Sequence, residues 1–434
     1  MGISLSLPDP TPISPLERDG PDTSAVGPPV LEARRVISVL VVDDSVVVRR
    51  LITDALGDDP EIRVVGTAPN GKVALAKIEQ LHPDLVTLDI EMPIMDGLQT
   101  MRAIRQQYAR LPVIMFSTLT AAGATATLDA LSAGASDYVT KPANVGSVAE
   151  SIRSVREQII PRIHALCGGR RSALAPPTRP GLAPGRPLAG AGNLPPPSLT
   201  RPGGSPLPGV VRPPNVPPGG PAAAPVRATP RTGAVEVVAV GCSTGGPDAL
   251  TAVVRALPAS LPVPVVVVQH MPPVFTKMFA DRLDRTAALT VVEATGDMVV
   301  RPGTVYIAPG DFHLEVHRRG TEVVTKLNTG PPENFCRPAV DVLFRSVART
   351  YGGATLAIVL TGMGQDGKRG AEQLRSAGAE IVAQDEATSV VWGMPGAVTQ
   401  AGLAHAVLPL GEIANHLISR TAGGRGAKSM EVTR

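Results

Sequence analysis

The sequence predicts two doubly wound α/β domains, each with a parallel sheet, joined by a proline-rich linker. In two separate parts of the chain, short apolar runs of strand length alternate with stretches of helical period. Such alternation is typical of parallel sheets covered by helices on both faces. Between these parts, residues from about 167 to 233 are dominated by Pro, Gly, Ala and Arg and contain no acidic residue. This composition cannot form a packed core, so it predicts an extended linker.

The first domain is predicted to begin near residue 36, after a segment rich in Pro, Ser and Asp that lacks periodicity and is expected to be a disordered tail. Five apolar runs are long enough for buried strands, and amphipathic stretches separate them. The expected strands are Ile37–Val42, Arg63–Gly66, Leu85–Leu88, Val113–Phe116 and Asp137–Val139.

The second domain repeats this alternation without repeating the sequence of the first. In such sheets, ligand chemistry lies at the carboxyl ends of the strands, which tells us where to look for a site. The expected strands are Val235–Val240, Pro264–Val268, Thr355–Leu360 and Glu380–Ala383, and the expected helices include Gly245–Leu257 and Lys368–Ala377.

The overall composition excludes several classes of protein. Apolar residues make up 43% and charged residues 18% of the chain, as in packed globular domains. Aromatic residues at 3% and a net charge of +3 argue against a nucleic-acid surface. The three cysteines, Cys167, Cys242 and Cys336, are too widely spaced for a disulfide framework or a zinc cluster, which favours the cytoplasm. No apolar run approaches the length of a membrane span, so membrane insertion is not expected.

Acidic side chains cluster at strand ends in the first domain. Asp43 and Asp44 follow the first expected strand, and Asp89 follows the third. Three neighbouring carboxylates repel one another unless a cation neutralises them, and such oxygen ligands suit Mg²⁺. Thr118 and Lys141 follow the fourth and fifth strands. A lone Asp after a strand is usually a helix cap, but five such positions at successive strand ends predict a pocket that holds a phosphoryl group on Asp89.

A glycine-rich corner in the second domain predicts a nucleophile. The segment Gly241–Pro247 follows an apolar strand and opens a helix, which would project Ser243 over the sheet edge. The backbone N–H groups of Thr244 and Gly245 could then stabilise an oxyanion. A phosphate-binding loop is the alternative, but the spacing fits neither nucleotide fingerprint and no Walker lysine follows. Cys242 should face the core, because neighbouring strand residues point in opposite directions.

A serine nucleophile needs a base and an acid. His270 ends the apolar Val265–Gln269 run and should reach the same edge of the sheet. Asp366 lies in a glycine-dense loop after another strand and is the candidate for orienting the imidazole. Asp341 and Asp385 are competitors, although Asp341 is expected to cap a helix. The chain order Ser, His, Asp disfavours a standard α/β-hydrolase.

The motifs of the first domain resemble a response-regulator receiver domain over about residues 36–164. The resemblance implies a flavodoxin-like fold in which a histidine kinase phosphorylates Asp89. It also implies that Asp44, Asp89 and the backbone carbonyl of Glu91 bind Mg²⁺, with Asp43 in the outer shell, and that Thr118 and Lys141 respond to the phosphate. The matching segments are Val41-Val42-Asp43-Asp44-Ser45, Leu88-Asp89-Ile90-Glu91-Met92-Pro93 with Met95-Asp96-Gly97, Ser117-Thr118 and Thr140-Lys141-Pro142.

The second domain resembles the catalytic domain of the chemotaxis protein-glutamate methylesterase/protein-glutamine glutaminase family over about residues 235–420. The resemblance implies a Rossmann-like hydrolase with Ser243 as nucleophile, His270 as base, Asp366 as its partner and Met363 near the oxyanion, and with no cofactor for hydrolysis. It implies chemoreceptor helices as substrates. The matching segments are Gly241–Pro247, Gln269-His270-Met271-Pro272, Tyr306-Ile307-Ala308-Pro309-Gly310, Arg337-Pro338 with Val340-Asp341, Thr361–Gly367, and Ala383–Ser389 with Gly393-Met394-Pro395.

The predicted organisation is a disordered tail (1–34), a receiver (35–165), a linker (166–233), a catalytic domain (234–420) and a second disordered tail (421–434). Without phosphorylation, the receiver is expected to cover the Ser243 cleft. Two alternatives stay open from the sequence. One is a receiver-controlled esterase or amidase for small molecules, which comparing methylated receptor with a simple ester would reveal. The other is a non-catalytic module that binds partners or DNA, which fluorophosphonate labelling of Ser243 would exclude.

Overall fold

The chain contains two parallel sheets flanked by helices, which confirms the predicted fold class. The computed structural model describes residues 36–142, 147–168 and 233–422. The predicted tail 1–34 and most of the predicted linker and of the C-terminal tail lie outside these described residues. None of the described helices has the length and apolarity that a membrane span requires.

The first sheet has five parallel strands in the order β2-β1-β3-β4-β5. The chain order reverses between β1 and β3, so a crevice opens at their carboxyl ends. The elements are β1 Ile37–Val42, α1 Val46–Gly57, β2 Ile62–Ala68, α2 Gly71–Leu81, β3 Leu85–Asp89, α3 Gly97–Gln107, β4 Val113–Ser117, α4 Ala121–Ser132, β5 Asp137–Thr140 and α5 Val148–Gly168.

Local sequence explains where the receiver helices begin. Ser45, Asn70 and Thr120 each precede a helix, and each side chain accepts a hydrogen bond from a backbone N–H of its first turn. Asp96 and Gln99 form a reciprocal capping box at the start of α3. These caps satisfy N–H groups that no preceding turn can bond, and they place the helix starts directly after the strand ends that form the crevice.

The second sheet has seven parallel strands in the order β14-β13-β12-β6-β7-β9-β8. Its chain order reverses between β6 and β12, so a second crevice lies at their carboxyl ends. An antiparallel hairpin, β10 and β11, lies outside this sheet. The elements are β6 Val237–Cys242, α6 Gly246–Arg255, β7 Val265–Gln269, α7 Phe275–Asp284, β8 Thr290–Glu293, β9 Thr304–Ile307, β10 His313–Arg319, β11 Glu322–Asn328, α8 Val340–Tyr351, a short 3₁₀ helix Gly352–Ala354, β12 Thr355–Val359, α9 Lys368–Ser376, β13 Glu380–Gln384, α10 Met394–Gln400, β14 Ala406–Leu408 and α11 Leu410–Ala422.

Several predicted details differ from the structure. Three sheet strands were not predicted, because β8 and β9 have four residues each and β14 only three, too short for a clear apolar run. The helix α5 continues to Gly168 and α11 to Ala422, so the predicted boundaries at 166 and 421 fall inside helices. Cys242 is fully buried, as predicted.

The predicted capping role of Asp341 is wrong. Ala339 is the N-cap of α8, and Asp341 lies within the first turn with its side chain buried. Its carboxylate instead accepts hydrogen bonds from the N–H of Gly370 in α9 at 2.7 Å and from Asn334 at 3.0 Å. Asp341 therefore ties α8 to α9 and to the loop before α8, which a local pattern does not indicate.

Candidate active site and acidic pocket

Ser243 follows β6 at the crevice of the second sheet. Its backbone N–H donates to the carbonyl of Thr361 at 3.1 Å, and its carbonyl accepts from Gly246 N–H at 2.7 Å. Gly245 has a φ of 73°, a conformation that glycine adopts without steric cost, and it turns the chain into α6. Gly362 passes so close that a Cβ there would lie 2.9 Å from the Cβ of Ser243. The serine is held in a rigid corner.

The register of the sheet brings His270 beside Ser243. Cys242 in β6 and Gln269 in β7 are register partners, and the backbone N–H of His270 donates to the carbonyl of Cys242 at 3.1 Å. Gln269 strengthens the pair, because its Nε2 donates to the carbonyls of Ser243 at 3.0 Å and His270 at 3.2 Å. Ser243 and His270 thus follow two paired residues on neighbouring strands, as the strand-end argument predicted.

Asp366 accepts a hydrogen bond from His270 Nε2 at 2.8 Å. Its carboxylate also accepts from the backbone N–H groups of Val340, Asp341 and Gly367, at 2.7 to 3.0 Å. Burial opposes its ionisation, but the hydrogen bond and charge of His270 and these N–H donors hold the pKa of Asp366 below its ordinary value. The carboxylate is therefore ionised and fixes the orientation of the imidazole.

The other nitrogen of His270 is the one left for a nucleophile. No hydrogen bond joins the Ser243 hydroxyl to His270 in the part of the chain that the structure describes, and the imidazole Nδ1 instead lies 3.5 Å from the Sγ of Cys336. The backbone N–H groups of Thr244, Gly245 and Met363 have no acceptor among the described residues. They are therefore available to a ligand at this corner.

The pKa of His270 is raised to about 10. Burial works in the opposite direction, but negative charge on Cys336 and the hydrogen bond and charge of Asp366 outweigh it. The charge on Cys336 exists only in the thiolate form. When Cys336 is a neutral thiol that contribution vanishes, and this is the form in which His270 is better suited to accept a proton.

Sequence reasoning missed the polar surroundings of this site. Asn334 donates from Nδ2 to Asp366 at 2.9 Å as well as to Asp341 at 3.0 Å. Cys336 and the side chain of Gln269 were likewise not assigned to the site. No periodicity marks Asn334. Asn334 has a φ of 50°, a conformation that asparagine tolerates better than most residues, but this angle is known only from the structure.

The acidic pocket lies at the crevice of the first sheet. The structure brings Asp43, Asp44 and Asp89 together, with one carboxylate oxygen of each within 4.8 Å of the others. Lys141 Nζ lies 2.8 Å from Asp89 Oδ1 and 3.1 Å from Asp43 Oδ2. The lysine therefore reaches the same carboxylate that the sequence singled out as the phosphoryl acceptor.

A divalent cation fits this pocket. Asp89 Oδ2 is buried and lacks a hydrogen-bond partner among the described residues. Burial, helped by repulsion from Asp43, raises the pKa of Asp89 to about 6 although Lys141 opposes the shift. For Lys141, burial favours the neutral amine, but the two carboxylates prevail and raise its pKa. An unpaired oxygen and excess negative charge are the conditions that an oxygen-bound cation such as Mg²⁺ relieves.

The remaining predicted receiver residues follow strands of the first sheet. Thr118 follows β4, and its hydroxyl lies 3.1 Å from that of Thr120. Glu91 follows β3 with an exposed side chain, and the use of its backbone carbonyl as a ligand stays a prediction.

The receiver contacts the second domain next to Ser243. Thr244 Oγ1, one residue after Ser243, donates to Asp137 Oδ2 of β5 at 2.7 Å. The rings of Tyr138 and Phe275 stack in parallel with centroids 4.9 Å apart. A further ion pair joins Arg282 of α7 to Asp129 of α4. The β5 strand that ends beside Lys141 therefore begins against the active-site corner.

Comparisons with known proteins match both α/β domains of the chain. Residues 39–153 match the family model described as "Response regulator receiver domain", and residues 238–417 match "CheB methylesterase". A protein-glutamate methylesterase/protein-glutamine glutaminase of a Nocardioides species is 52% identical over 389 residues, covering 90% of this chain and 96% of that protein. The chain belongs to the protein-glutamate methylesterase/protein-glutamine glutaminase family.

Other members of the methylesterase/glutaminase family show similar agreement. The protein of that name from Trichodesmium erythraeum is 47% identical over 382 residues, covering 88% of this chain and 98% of that protein. Among solved structures, the CheB methylesterase catalytic domain of Thermotoga maritima is 46% identical and covers 43% of this chain and 98% of that chain, with a TM-score of 0.42.

Proposed function

We propose that this chain is a serine hydrolase that removes methyl esters from glutamyl side chains of chemoreceptors, deamidates receptor glutamines by the same route, and is activated by phosphorylation of Asp89. One observation carries the catalytic part. Ser243 and His270 follow register partners on adjacent strands, and His270 Nε2 is bonded to the buried Asp366 at 2.8 Å. An alcohol, an imidazole and a carboxylate at one crevice are the groups that acyl transfer requires.

The reaction uses Nδ1 of His270, because Nε2 is occupied by Asp366. Ser243 Oγ attacks the γ-carbonyl of the ester while Nδ1 takes its proton, and the N–H groups of Thr244, Gly245 and Met363 are candidate donors to the oxyanion. The protonated imidazole then protonates the departing methanol, or ammonia when the substrate is a glutamine. A water molecule that loses its proton to His270 hydrolyses the acyl-enzyme and leaves a glutamate.

Phosphorylation would act through the contacts between the two domains. In the unphosphorylated chain, Asp137 and Tyr138 of β5 hold the receiver beside the nucleophile. A histidine kinase of the chemotaxis pathway would transfer its phosphoryl group to Asp89. Asp44, Asp89 and the backbone carbonyl of Glu91 would hold Mg²⁺, with Asp43 in the outer shell, and the cation would neutralise the charge of the pocket. The phosphate adds roughly −1.5 to −2 charges. Lys141 and Thr118 would reorient towards it, and Lys141 directly follows β5. Only a few kcal/mol are needed to shift a docking equilibrium of this kind.

The decisive experiment measures methanol release from a methylated chemoreceptor fragment, with and without a small phosphodonor. We expect the phosphodonor to raise the rate, and Ser243→Ala to lower it by at least about 10³-fold, as the loss of a triad nucleophile does. Ser260→Ala, which changes an exposed serine of the same domain, is the matched control and should behave as the natural chain. Near-normal turnover by Ser243→Ala would refute the nucleophile assignment. A faster reaction on a simple ester than on the receptor would refute the protein substrate.

A further inference from the structure

The thiol of Cys336 occupies a position that the proposed mechanism does not use. Its Sγ lies 3.5 Å from His270 Nδ1, and the opposite nitrogen of the same ring is 2.8 Å from Asp366 Oδ2. Thiol, imidazole and carboxylate thus stand in a row, which is the arrangement of a cysteine nucleophile with its base and orienting acid. Ser243 and Cys336 must share one basic nitrogen.

A tight turn holds the thiol in this place. The backbones of Glu333 and Cys336 exchange hydrogen bonds of 3.1 and 2.9 Å, and the two residues between them both have positive φ. The turn is anchored at two points. Asn334 donates to Asp341 and Asp366, and Glu333 pairs with both terminal nitrogens of Arg345. Because the turn is fixed from both sides, the contact between Cys336 and His270 is built into the fold.

The chemistry of the contact favours reaction at sulfur. A thiol is a stronger acid than an alcohol, and an adjacent imidazole converts it further to the nucleophilic thiolate. Cys336 is only half-buried, so small reagents can reach it. The two other cysteines lie elsewhere: Cys242 is fully buried, which raises the pKa of its thiol, and Cys167 lies in α5 with its Sγ 3.9 Å from the carbonyl oxygen of Asp84.

We propose that Cys336 is a reactive modification site inside the active site, and that soft electrophiles, including peroxides, switch off the hydrolase by reacting there. The proton of Sγ moves to His270 Nδ1. With an alkyl halide, the thiolate forms an S–C bond and the halide ion leaves. With a peroxide, sulfur is oxidised to sulfenic acid as the O–O bond breaks and the peroxide is reduced. In both cases the new group lies beside His270 Nδ1, the nitrogen that the proposed mechanism uses, and prevents proton transfer from Ser243.

The charges around His270 support this assignment. The groups that face the imidazole are Cys336 and Asp366, with Asp341 and the Glu333–Arg345 pair behind them. Although burial opposes it, negative charge on Cys336 contributes to the raised pKa of His270. While His270 holds this proton, it cannot take a proton from Ser243.

Alkylation with iodoacetamide tests the inference on the full chain, with the labelled sites measured by mass spectrometry. Because an adjacent base speeds the reaction of a thiol with an alkylating reagent, we expect Cys336 to be labelled about tenfold faster than Cys167 near neutral pH. Methanol release should fall in parallel with the labelling of Cys336. After iodoacetamide treatment, Cys336→Ala and Cys336→Ser should each release methanol at the rate that the same variant had before treatment. Cys167→Ala should lose activity like the natural chain.

A second readout separates an activated thiol from a merely exposed one. In His270→Ala, which removes the imidazole 3.5 Å from the thiol, labelling of Cys336 near neutral pH should slow to the rate of Cys167. Dilute hydrogen peroxide should produce a sulfenic acid at Cys336 that dimedone captures, and Cys336→Ser should give no such adduct at this position. The inference is wrong if Cys336 reacts no faster than Cys167, if His270→Ala leaves the labelling rate of Cys336 unchanged, or if Cys336→Ala is inactivated as fast as the natural chain.

The loss of hydrolysis on modification rests on the proposed function, but the reactivity of the thiol does not. Labelling of Cys336 should be equally fast in Ser243→Ala, which lacks the proposed nucleophile. If Ser243→Ala still releases methanol at the normal rate while Cys336 reacts rapidly, the proposed function fails and the reactive thiol stands. Slow labelling in both chains would overturn the thiol assignment alone.

Discussion

Asp137 carries the hydrogen bond that joins the receiver to the residue after Ser243, so its removal tests the proposed switch directly. The carboxylate is 6% exposed and accepts from Thr244 Oγ1 at 2.7 Å across the domain boundary. It also accepts from Arg162 Nε at 3.0 Å, within the receiver. Arg162 belongs to the receiver, so of these two bonds of Asp137 only the one to Thr244 joins the domains.

The expected magnitude follows from the type of bond. A buried hydrogen bond to a charged group contributes about 2 kcal/mol, which corresponds to about 30-fold in an equilibrium constant. Asp137→Ala should therefore shift the docking equilibrium by about that factor towards the open form. Asp137→Asn keeps an acceptor but loses the charge, and the difference of about 1 kcal/mol between charged and neutral bonds predicts about fivefold. The basal rate should rise accordingly, up to the rate of the phosphorylated enzyme.

The assay compares methanol release by unphosphorylated chains on the same methylated receptor fragment. The matched control is Asp58→Ala, which removes another receiver carboxylate that is exposed and pairs with Arg156 inside the receiver. We expect the basal rate to be highest in Asp137→Ala, intermediate in Asp137→Asn and lowest in the natural chain. Asp58→Ala should have the basal rate of the natural chain. The phosphodonor should add least to Asp137→Ala, because that chain is already mostly open.

Two outcomes would refute this reasoning. If Asp137→Ala keeps the natural basal rate and the full response to the phosphodonor, the bond to Thr244 does not hold the enzyme inactive. If Asp58→Ala activates as strongly as Asp137→Ala, the effect arises from receiver charge and not from the contact beside Ser243.

Three further predictions concern the acceptor, the metal and the nucleophile corner. Asp89→Asn should leave basal methanol release in place but abolish its rise with a phosphodonor, and a normal rise would disprove the acceptor assignment. The pKa of Asp89 is raised to about 6, so the protonated carboxyl favours the folded state. This contribution to folding stability is complete below the ordinary pKa of 3.8 and is lost as pH rises through about 6. Mg²⁺ should therefore raise the melting temperature more at about pH 8 than at about pH 5, and EDTA should reverse this gain. An equal gain at both pH values would contradict binding of the cation at the ionised Asp89. In Gly362→Ala, the new Cβ would stand 2.4 Å from Met394 Sδ and 2.9 Å from the Cβ of Ser243. This crowding should cost about 1–3 kcal/mol of stability and slow methanol release, as measured by denaturant unfolding and turnover. Gly411→Ala, in α11 with open space around it, should not lower stability and should leave turnover unchanged.

Positions at strand ends could be predicted from the sequence because they depend on local pattern and one topological rule. Apolar runs located most of the strands, and the carboxyl ends of parallel strands share one edge. From the sequence alone, this rule predicted that Asp43, Asp44 and Asp89 lie in one crevice and that Ser243 and His270 lie in another. The short strands β8, β9 and β14 escaped because three or four residues are too few for a periodic signal.

The sequence therefore predicts the two α/β domains, the family motifs and the candidate chemistry of each crevice. Which side chains contact one another there depends on the tertiary structure. Asp341 binds Gly370 across 29 positions, Cys336 reaches His270 across 66, and Asp137 reaches Thr244 across 107. These contacts arise from the packing of whole elements against one another, and no periodicity within a strand or helix carries information about them.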